Sequence, residues 1–349
     1  MKVAVIFNDT TLYEGNSGPA PKGNELGFEP YFAISRFDPL DDFRDIVNAL
    51  NKSGYEAYLL NIRDDINLFM EDFLTNKPNV LFNLVELYKE NPKLEMPFAG
   101  ILELLKVPFT GAPPLALGTC QNKTLTKRIL KRAGVRTPDF RFIEKREKIY
   151  RHGLNYPLIV KPAFEDASVG IENDSIVYNQ MALRKRIDHV FEVYAQPVLL
   201  EEFIDGRELN VAIMGDKDPI ALPISEIDFT RMPKHLHNIV SYQAKWDPYH
   251  EAYHKTIPIC PAKLPQKIAR EAQKIALTCF KTVGCRDYAR VDMRLSKDKK
   301  LYVLEVNPNP DLTEGAGFMR SAHAAGYTYR KALKKIVDFA WARRPRNGK

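Results

Sequence analysis

Two short runs near the carboxyl end hold the side chains best suited to chemistry. Leu301–Pro310 reads L-Y-V-L-E-V-N-P-N-P, an aliphatic and aromatic strand interrupted by Glu305 and followed by Asn307. Residues two apart on a strand point the same way. Glu305 and Asn307 therefore offer two oxygen donors on one side of a strand end that Pro308 and Pro310 terminate. Upstream, Asp287–Leu295 (D-Y-A-R-V-D-M-R-L) predicts a second strand on which Arg290 and Asp292 also share a face. The polar S-K-D-K-K between the two suits a hairpin turn. Paired directly, the hairpin gathers two carboxylates, an amide oxygen and a guanidinium. Hard oxygen donors suit Mg²⁺ or Mn²⁺, which bind few protein carboxylates and complete their shells with phosphate oxygens and water. An amphipathic hairpin with a solvated charged face has the same pattern.

Two lysines add to this. Lys161 ends a buried strand, P-L-I-V-K-P-A, and Lys123 lies early in a basic helix; each can meet a phosphate without competing with bulk water. The A-S-V-G turn after Lys161 contains Ser168, Val169 and Gly170, where backbone amides can approach phosphate oxygens. E-E-F-I-D-G-R-E is read as a strand turning at Gly206 that carries Glu201, Phe203 and Glu208. An acid for ribose hydroxyls beside an apolar wall for a purine is what a nucleotide pocket needs. Taken singly, each piece also fits an ordinary surface or structural group. A competing motif, H-E-A-Y-H (His250–His254), matches the zinc-protease pattern, which requires both histidines on one helical face. Pro248 before it and T-I-P-I-C-P after it argue against such a helix, and His235 and His237 are read as loop histidines near the substrate.

The elements that must position these groups follow a clear order. Val3–Phe7 predicts a buried first strand, followed by a polar, Gly- and Pro-rich loop over Asn8–Pro39. Helices over Asp41–Lys52 and Asp65–Leu74 alternate with strands over Glu56–Ile62 and Val80–Val85, an α/β unit with a parallel sheet. Ligands of such sheets sit at the carboxyl ends of the strands, where Asn8, Asp9 and Glu86 fall. A helix over Glu95–Leu105 and the run V-P-F-T-G close this unit near Gly118. Beyond it come a helix over Thr119–Ala133, an edge strand over Asp139–Ile143, the Lys161 strand, a helix over Met181–Tyr194 and a strand over Val198–Ile204. Arg207–Met214 and Pro219–Phe229 read as sheet, Pro265–Thr282 as a long amphipathic helix leading into the hairpin, and Tyr329–Ala342 as the last helix.

Composition narrows the class. With 349 residues, 45% of them hydrophobic, and no long apolar run, the chain suits two or three water-soluble domains sharing a large core rather than a membrane protein. M-K-V-A-V-I-F-N-D turns polar too soon for a signal peptide. Cys120, Cys260, Cys279 and Cys285 form no C-x-x-C pair, which points to buried thiols in a reducing cytoplasm. The net charge of +7 raises nucleic-acid binding, but much of the excess lies in Arg330–Lys349 and no aromatic-interleaved basic stripe accompanies it. A polyanionic substrate accounts for local positive potential equally well.

In chain order, Lys123, K-P-A-F-E-D-A-S-V-G, E-E-F-I-D-G-R-E-L-N-V-A-I, R-V-D-M-R-L and L-E-V-N-P-N-P resemble the ATP-grasp enzymes, and among them the D-alanine–D-alanine ligase family. The likeness runs from Val3 to Ala340. It implies an α/β fold of three domains: an N-terminal α/β domain over 1–118, a central subdomain over 119–205 and a C-terminal subdomain over 206–349, with ATP between the last two. It also implies roles. Lys123 and Lys161 would hold the α- and β-phosphates, Glu201 and the backbone at Phe203 would meet adenine, Glu208 would bind ribose, and the loop Phe164–Gly170 would cover the phosphates. Lys245 would lie near the γ-phosphate, Arg290 would stabilise charge in transfer, and Asp292, Glu305 and Asn307 would hold two Mg²⁺ or Mn²⁺ ions about 3.5–4 Å apart. The implied reaction joins a carboxylate to an amine through an acyl phosphate. A homodimer is the family's habit.

The substrate side departs from that family. Glu86 stands where a histidine would, Ala167 and Ser168 replace paired serines, Trp246 replaces a tyrosine, and N-P-N-P-D-L-T-E-G-A-G puts Asp311 at a glycine position and Ala316 near a serine. An acid at Asp311 would repel a carboxylate placed beside it. Glu86 and Asp311 would then receive a cationic or amine-rich substrate, unless Asp311 turns out to solvent. A non-catalytic nucleotide-binding protein of the same fold is the other class; the presence of Asp292, Glu305, Asn307, Arg290 and both lysines argues against it.

Overall fold

The computed structural model describes residues 1–10, 28, 30–32, 39–147 and 149–345. Strand β1 (Lys2–Phe7) is followed by helix α1 (Pro39–Asn51), strand β2 (Glu56–Asn61), helix α2 (Ile66–Asn76) and strand β3 (Val80–Asn83). They form a parallel sheet in the order β2-β1-β3. Val3–Phe7 is an unbroken apolar run because both faces of β1 are covered. The expected loop over Asn8–Pro39 lies mostly outside the described residues.

Helices α3 (Glu95–Leu104), α4 (Pro114–Gln121) and α5 (Lys123–Arg132) come next. The single basic helix expected over Thr119–Ala133 is thus two helices, broken at Asn122. That residue has a non-helical ψ of 87°, and its side chain accepts from the Leu125 N–H to cap α5. Lys123 consequently begins a new helix.

A second, antiparallel sheet contains strands β4 (Phe140–Ile143), β5 (Leu158–Pro162), β6 (Ile176–Val177) and, after helix α6 (Gln180–Val193), β7 (Val198–Glu202). Its order is β4-β7-β5-β6, with β4 at an edge as expected. Helix α6 buries Leu183, Ile187 and Val190 against Leu158, Val160, Val198 and Leu200.

The third sheet is built on β8 (Gly206–Gly215), with β9 (Ile220–Ala221) and β10 (Ser225–Asp228) following it. The continuous sheet expected over Pro219–Phe229 is divided, with Pro223, which has no N–H for a ladder, between the two strands. An arm then carries short helices α7 (Tyr242–Trp246) and α8 (Glu251–Lys255) before strand β11 (Ile257–Ile259). Helix α9 (Gln266–Thr282), strands β12 (Asp287–Ser296) and β13 (Leu301–Asn307), and helices α10 (Gly317–Ala324) and α11 (Tyr329–Ala342) complete the fold. The sheet order is β11-β10-β8-β12-β13. Among the described residues no helix is long and apolar enough to cross a membrane.

Alternation along β8 and β12 divides the third sheet into two faces. Leu209, Val211, Ile213, Ala289, Val291, Met293 and Leu295 pack in one core with α9 residues Ala272, Ala276 and Phe280. The intervening residues Glu208, Asn210, Arg290, Asp292 and Arg294 therefore share the opposite face. On β13, Leu301 and Val303 belong to the α9 core. Strict alternation would put Glu305 and Asn307 there too. The direct register expected for the hairpin does not hold: Met293 pairs with Val303 but Asp292 pairs with Glu305, leaving Leu304 as an extra residue. This bulge turns Glu305 and Asn307 to the polar face and returns Val306 to the core.

The first and third sheets share a core. Val3, Val5, Ile46, Leu50, Val80 and Phe82 meet Leu333, Ile336, Val337 and Ala340 of α11. Arg343, in the basic C-terminal segment, is turned inward rather than solvated: its Nη2 donates to Asp287 Oδ2 at 2.7 Å and to Phe109 O at 3.0 Å. The Gly111 N–H donates to the same carboxylate oxygen at 3.0 Å. Gly111 has φ +91°, and a Cβ there would stand 2.5 Å from Asn309 Oδ1, so glycine permits the close approach. Asp287 is fully buried, so removing its partner strands a charge. Arg343→Met should cost about 3 kcal/mol in urea unfolding, and adding Asp287→Asn should recover part of the loss.

Candidate active site

The polar face of the third sheet brings Arg290, Asp292, Glu305 and Asn307 together. Arg290 Nε and Nη2 donate to Asp292 Oδ1 and Oδ2, both at 2.8 Å. Asn210 Nδ2 donates to Oδ1 at 2.7 Å and Asn307 Nδ2 to Oδ2 at 2.9 Å. Glu305 receives a 3.5 Å contact from Asn307. Burial works against its charge, but Lys123, Lys161, Arg290 and Lys245 hold its carboxyl below the usual range. Burial likewise opposes the charge on Arg290, and Asp292 and Glu305 more than offset it. A charged carboxylate so lightly hydrogen-bonded has lone pairs for a cation. Two carboxylates beside one amide fit Mg²⁺ or Mn²⁺. Among the described residues no three His, Cys, Asp or Glu gather, a set too sparse for a closed zinc site.

On the second sheet, Lys161 Nζ lies 2.7 Å from Glu201 Oε2, and Lys127 Nζ lies 2.6 Å from Glu201 Oε1. Lys123 Nζ, on the first turn of α5, donates to the Glu165 carbonyl at 2.6 Å and pairs with Asp166. Burial penalises the Glu201 charge, yet Lys127 and Lys161 push its pKa down to about 2. Glu201 and Glu208 do not share a strand: the chain crosses between sheets after β7, and the two acids reach the cleft from different sides. Glu208 Oε2 sits 2.8 Å from Arg294 Nη2, and burial, only partly offset by Arg294, raises its pKa.

Phe203 packs against a small apolar cluster of Ile159, Ile176 and Ile239. Its N–H donates to Pro157 O at 2.9 Å, so of its backbone only the carbonyl is left to face a purine. Arg294 spans this pocket with its guanidinium 5.7 Å from the Phe203 ring and 5.4 Å from that of Phe229.

The loop over Phe164–Gly170 folds into a turn in which Ala167, Ser168 and Gly170 have φ of 52°, 65° and 72°. A Cβ at Gly170 would stand 2.4 Å from Pro162 Cγ. The Val169 N–H closes the turn onto Asp166 O, so Val169 shapes the loop and has no N–H to offer a phosphate. The arm between β10 and β11 grips this turn. Ser168 Oγ donates to Val240 O at 2.8 Å, Trp246 Nε1 to Ala167 O at 2.8 Å, and the Tyr242 N–H to Ile171 O at 2.7 Å. Asn173 bonds both His235 and His237 through their backbones. Lys245 Nζ stands 5.0 Å from the Trp246 ring. Although solvent reaches Lys245, desolvation by the cleft, with Arg290 nearby, lowers its pKa.

Glu86 follows β3 at the mouth of the cleft. Crowding by the cleft and then the charge of Asp311 push its pKa up to about 7. Burial and Glu86 push Glu95 up to about 8, while Asn309 Nδ2 donates to Glu95 Oε1 at 3.3 Å. Asp311 is exposed, and both of its oxygens accept from Thr313. It is therefore partly committed to its own turn, although its charge still acts on Glu86 and Arg290.

The zinc-protease pattern dissolves. A short helix does form, but His250 caps it by accepting from the Ala252 N–H. Buried His254 accepts on Nδ1 from the N–H groups of Tyr31 and Phe32 and bonds Pro248 O through Nε2. Lys127, Glu95, Asn210 and Arg294 pair with or adjoin these candidate site residues and were passed over in the sequence reading. Only the spacing of Lys127, four residues beyond Lys123 on one helical face, signalled its place.

Residues 129–338 match the family described as D-ala D-ala ligase C-terminus. The chain is 32% identical over 300 residues to D-alanine–D-alanine ligase A of Bacillus cereus, covering 84% of this chain and 90% of that one. It is also 32% identical over 309 residues to an uncharacterized protein, y4sG, of Sinorhizobium fredii, covering 87% and 88%. Its fold is similar to that of the Bacillus anthracis D-alanine–D-alanine ligase complexed with ATP, with a TM-score of 0.71, 25% identity, and coverage of 99% and 98%.

The raised carboxyls have a measurable consequence. Between their ordinary value of 4.5 and about 7 to 8, folded Glu86 and Glu95 hold protons that the unfolded chain has released. Stability is therefore lost as pH rises through that window. Glu86→Gln should raise Tm at about pH 8.5, with the gain shrinking toward about pH 5.5; a gain independent of pH would show that the Glu86 carboxyl is not held protonated in the fold.

Proposed function

We propose, on the premise that the chain belongs to the D-alanine–D-alanine ligase family, that its cleft joins an amino-acid-like carboxylate to an amine through the groups described above. The chain is an ATP-dependent ligase that forms an amide bond. What supports the assignment of roles is the convergence of Lys123, Lys161 and Lys245 around Glu305. In this reading Lys123 and Lys161 hold the α- and β-phosphates. Glu208 takes the ribose, and the Phe203 wall, with the Glu201 carboxylate, faces adenine. Asp292, Glu305 and Asn307 would hold Mg²⁺ or Mn²⁺, which when bound neutralises charge on the phosphates.

A carboxylate oxygen of the first substrate attacks the γ-phosphorus and ADP departs, leaving an acyl phosphate. Lys245 and Arg290 stabilise the negative charge on the transferring group. The amine of the second substrate then attacks the acyl carbon, and the carbon–oxygen bond to phosphate breaks as the amide forms, the nitrogen's proton leaving with the phosphate. The lid turn and the arm exclude water that would hydrolyse the acyl phosphate.

Glu86, Trp246 and Asp311 shape the acceptor pocket. At its mouth the charge of Asp311 acts on Glu86, and that of Glu86 on Glu95. An anion there would meet Asp311 and oppose ionisation of its neighbours, whereas an amine substrate with an additional positive charge would favour their ionised forms. Glu305→Gln should lower metal-dependent phosphate release by about two to three orders of magnitude, and Lys161→Ala should raise the ATP Kd about tenfold or more. Full activity in the Glu305 variant would sink the metal assignment. Asp311→Gly should leave ATP binding intact and change only which substrates release phosphate, read against D- and L-amino acids, diamines and dipeptides with product masses recorded.

A further inference from the structure

Lys127 has no part in the reaction as described, yet it ties the second sheet to the β13 bulge of the third. Only 2% of its side chain is exposed, and its ion pair is with Glu201, itself 1% exposed. Its ammonium also donates to Leu304 O at 2.9 Å, the carbonyl of the bulged residue next to Glu305. The other partner of Glu201, Lys161, is 14% exposed and reaches the cleft. One lysine is therefore locked in the protein, and the other has access to a ligand.

A carboxylate with so little exposure must keep a counter-ion. If Lys161 were its sole partner, moving that ammonium to a nucleotide phosphate would strand the charge. We propose that Lys127 is a positioning residue, the standing counter-ion of Glu201 that frees Lys161 for the nucleotide phosphates while fixing the bulge that aims Glu305. The assignment rests on the reading of Lys161 as a phosphate ligand. Helix α5 then serves the cleft twice along one face, through Lys123 in its first turn and Lys127 one turn on.

The test measures Kd for ATP and for adenosine, without divalent metal, in the parent chain and in Lys127→Met, Lys127→Arg, Lys127→Met/Glu201→Gln and Lys161→Ala. Lys127→Met should weaken ATP about tenfold or more and leave adenosine unchanged, because only the phosphates need Lys161. Lys127→Arg should retain ATP binding, and the double variant, with no stranded carboxylate, should regain the preference for ATP over adenosine, adenosine alone reading what the loss of the Glu201 carboxylate costs at adenine. A purely structural role would weaken ATP and adenosine alike. That result, an unchanged ATP Kd in Lys127→Met, or a double variant no better than the single would overturn the proposal. Should Lys127→Met fail to fold, the double variant still decides, since a preference for ATP over adenosine as poor as in Lys161→Ala would overturn it. An ATP Kd unaffected by Lys161→Ala would instead refute the phosphate assignment itself.

Discussion

The third sheet must bury one face and charge the other, and it does so with strands that alternate strictly. That constraint leaves β13 with a conflict. Its Leu301 and Val303 are needed beneath α9, whereas its Glu305 and Asn307 must face the cleft, and all four have the same parity. One extra residue, Leu304, resolves it. Without the slip, a carboxylate would lie among Leu301, Val303 and Phe280 at a cost of several kcal/mol, and Asp292 would face the cleft without Glu305 and Asn307 beside it.

Charge balance is the second organising element. Glu201, Glu305 and Asp292 are each surrounded by lysine or arginine close enough to outweigh burial or to bond directly. The cation-rich floor suits a polyphosphate. The mouth has the opposite character: Glu86 meets Asp311, and Glu95 meets Glu86, with less compensation, and both carboxyls titrate late. A single cleft thus presents two potentials, one for each end of a reaction that brings an anion to an amine.

Much of this was legible in the sequence because it rests on local pattern. The hairpin, the strand ending in Lys161, the Glu201 strand and helix α11 all follow from hydrophobic period and stop signals. What escaped depends on distant partners. The bulge answers to α9, Arg343 to a buried aspartate, and Arg294 to the rings of Phe203 and Phe229. The break at Asn122 did have a local sign, an asparagine followed by a helical run, but the surrounding helix formers masked it. That the N–H groups of Phe203 and Val169 are already spent on protein carbonyls was likewise not visible in the sequence.

The grip of the arm on the lid turn bears on how the cleft can open. Ser168, Ala167 and Ile171 of the second sheet's loop are bonded to Val240, Trp246 and Tyr242 of the third sheet's arm. The turn is therefore a clasp fastened across two bodies rather than a flap hinged on one. Any separation of the two sheets at that corner must either unfasten those bonds together or carry the arm along. Because Lys245 and Trp246 are part of the arm, unclasping would also carry a cation away from Glu305, so the joint that opens the corner also sets the charge beside that carboxylate.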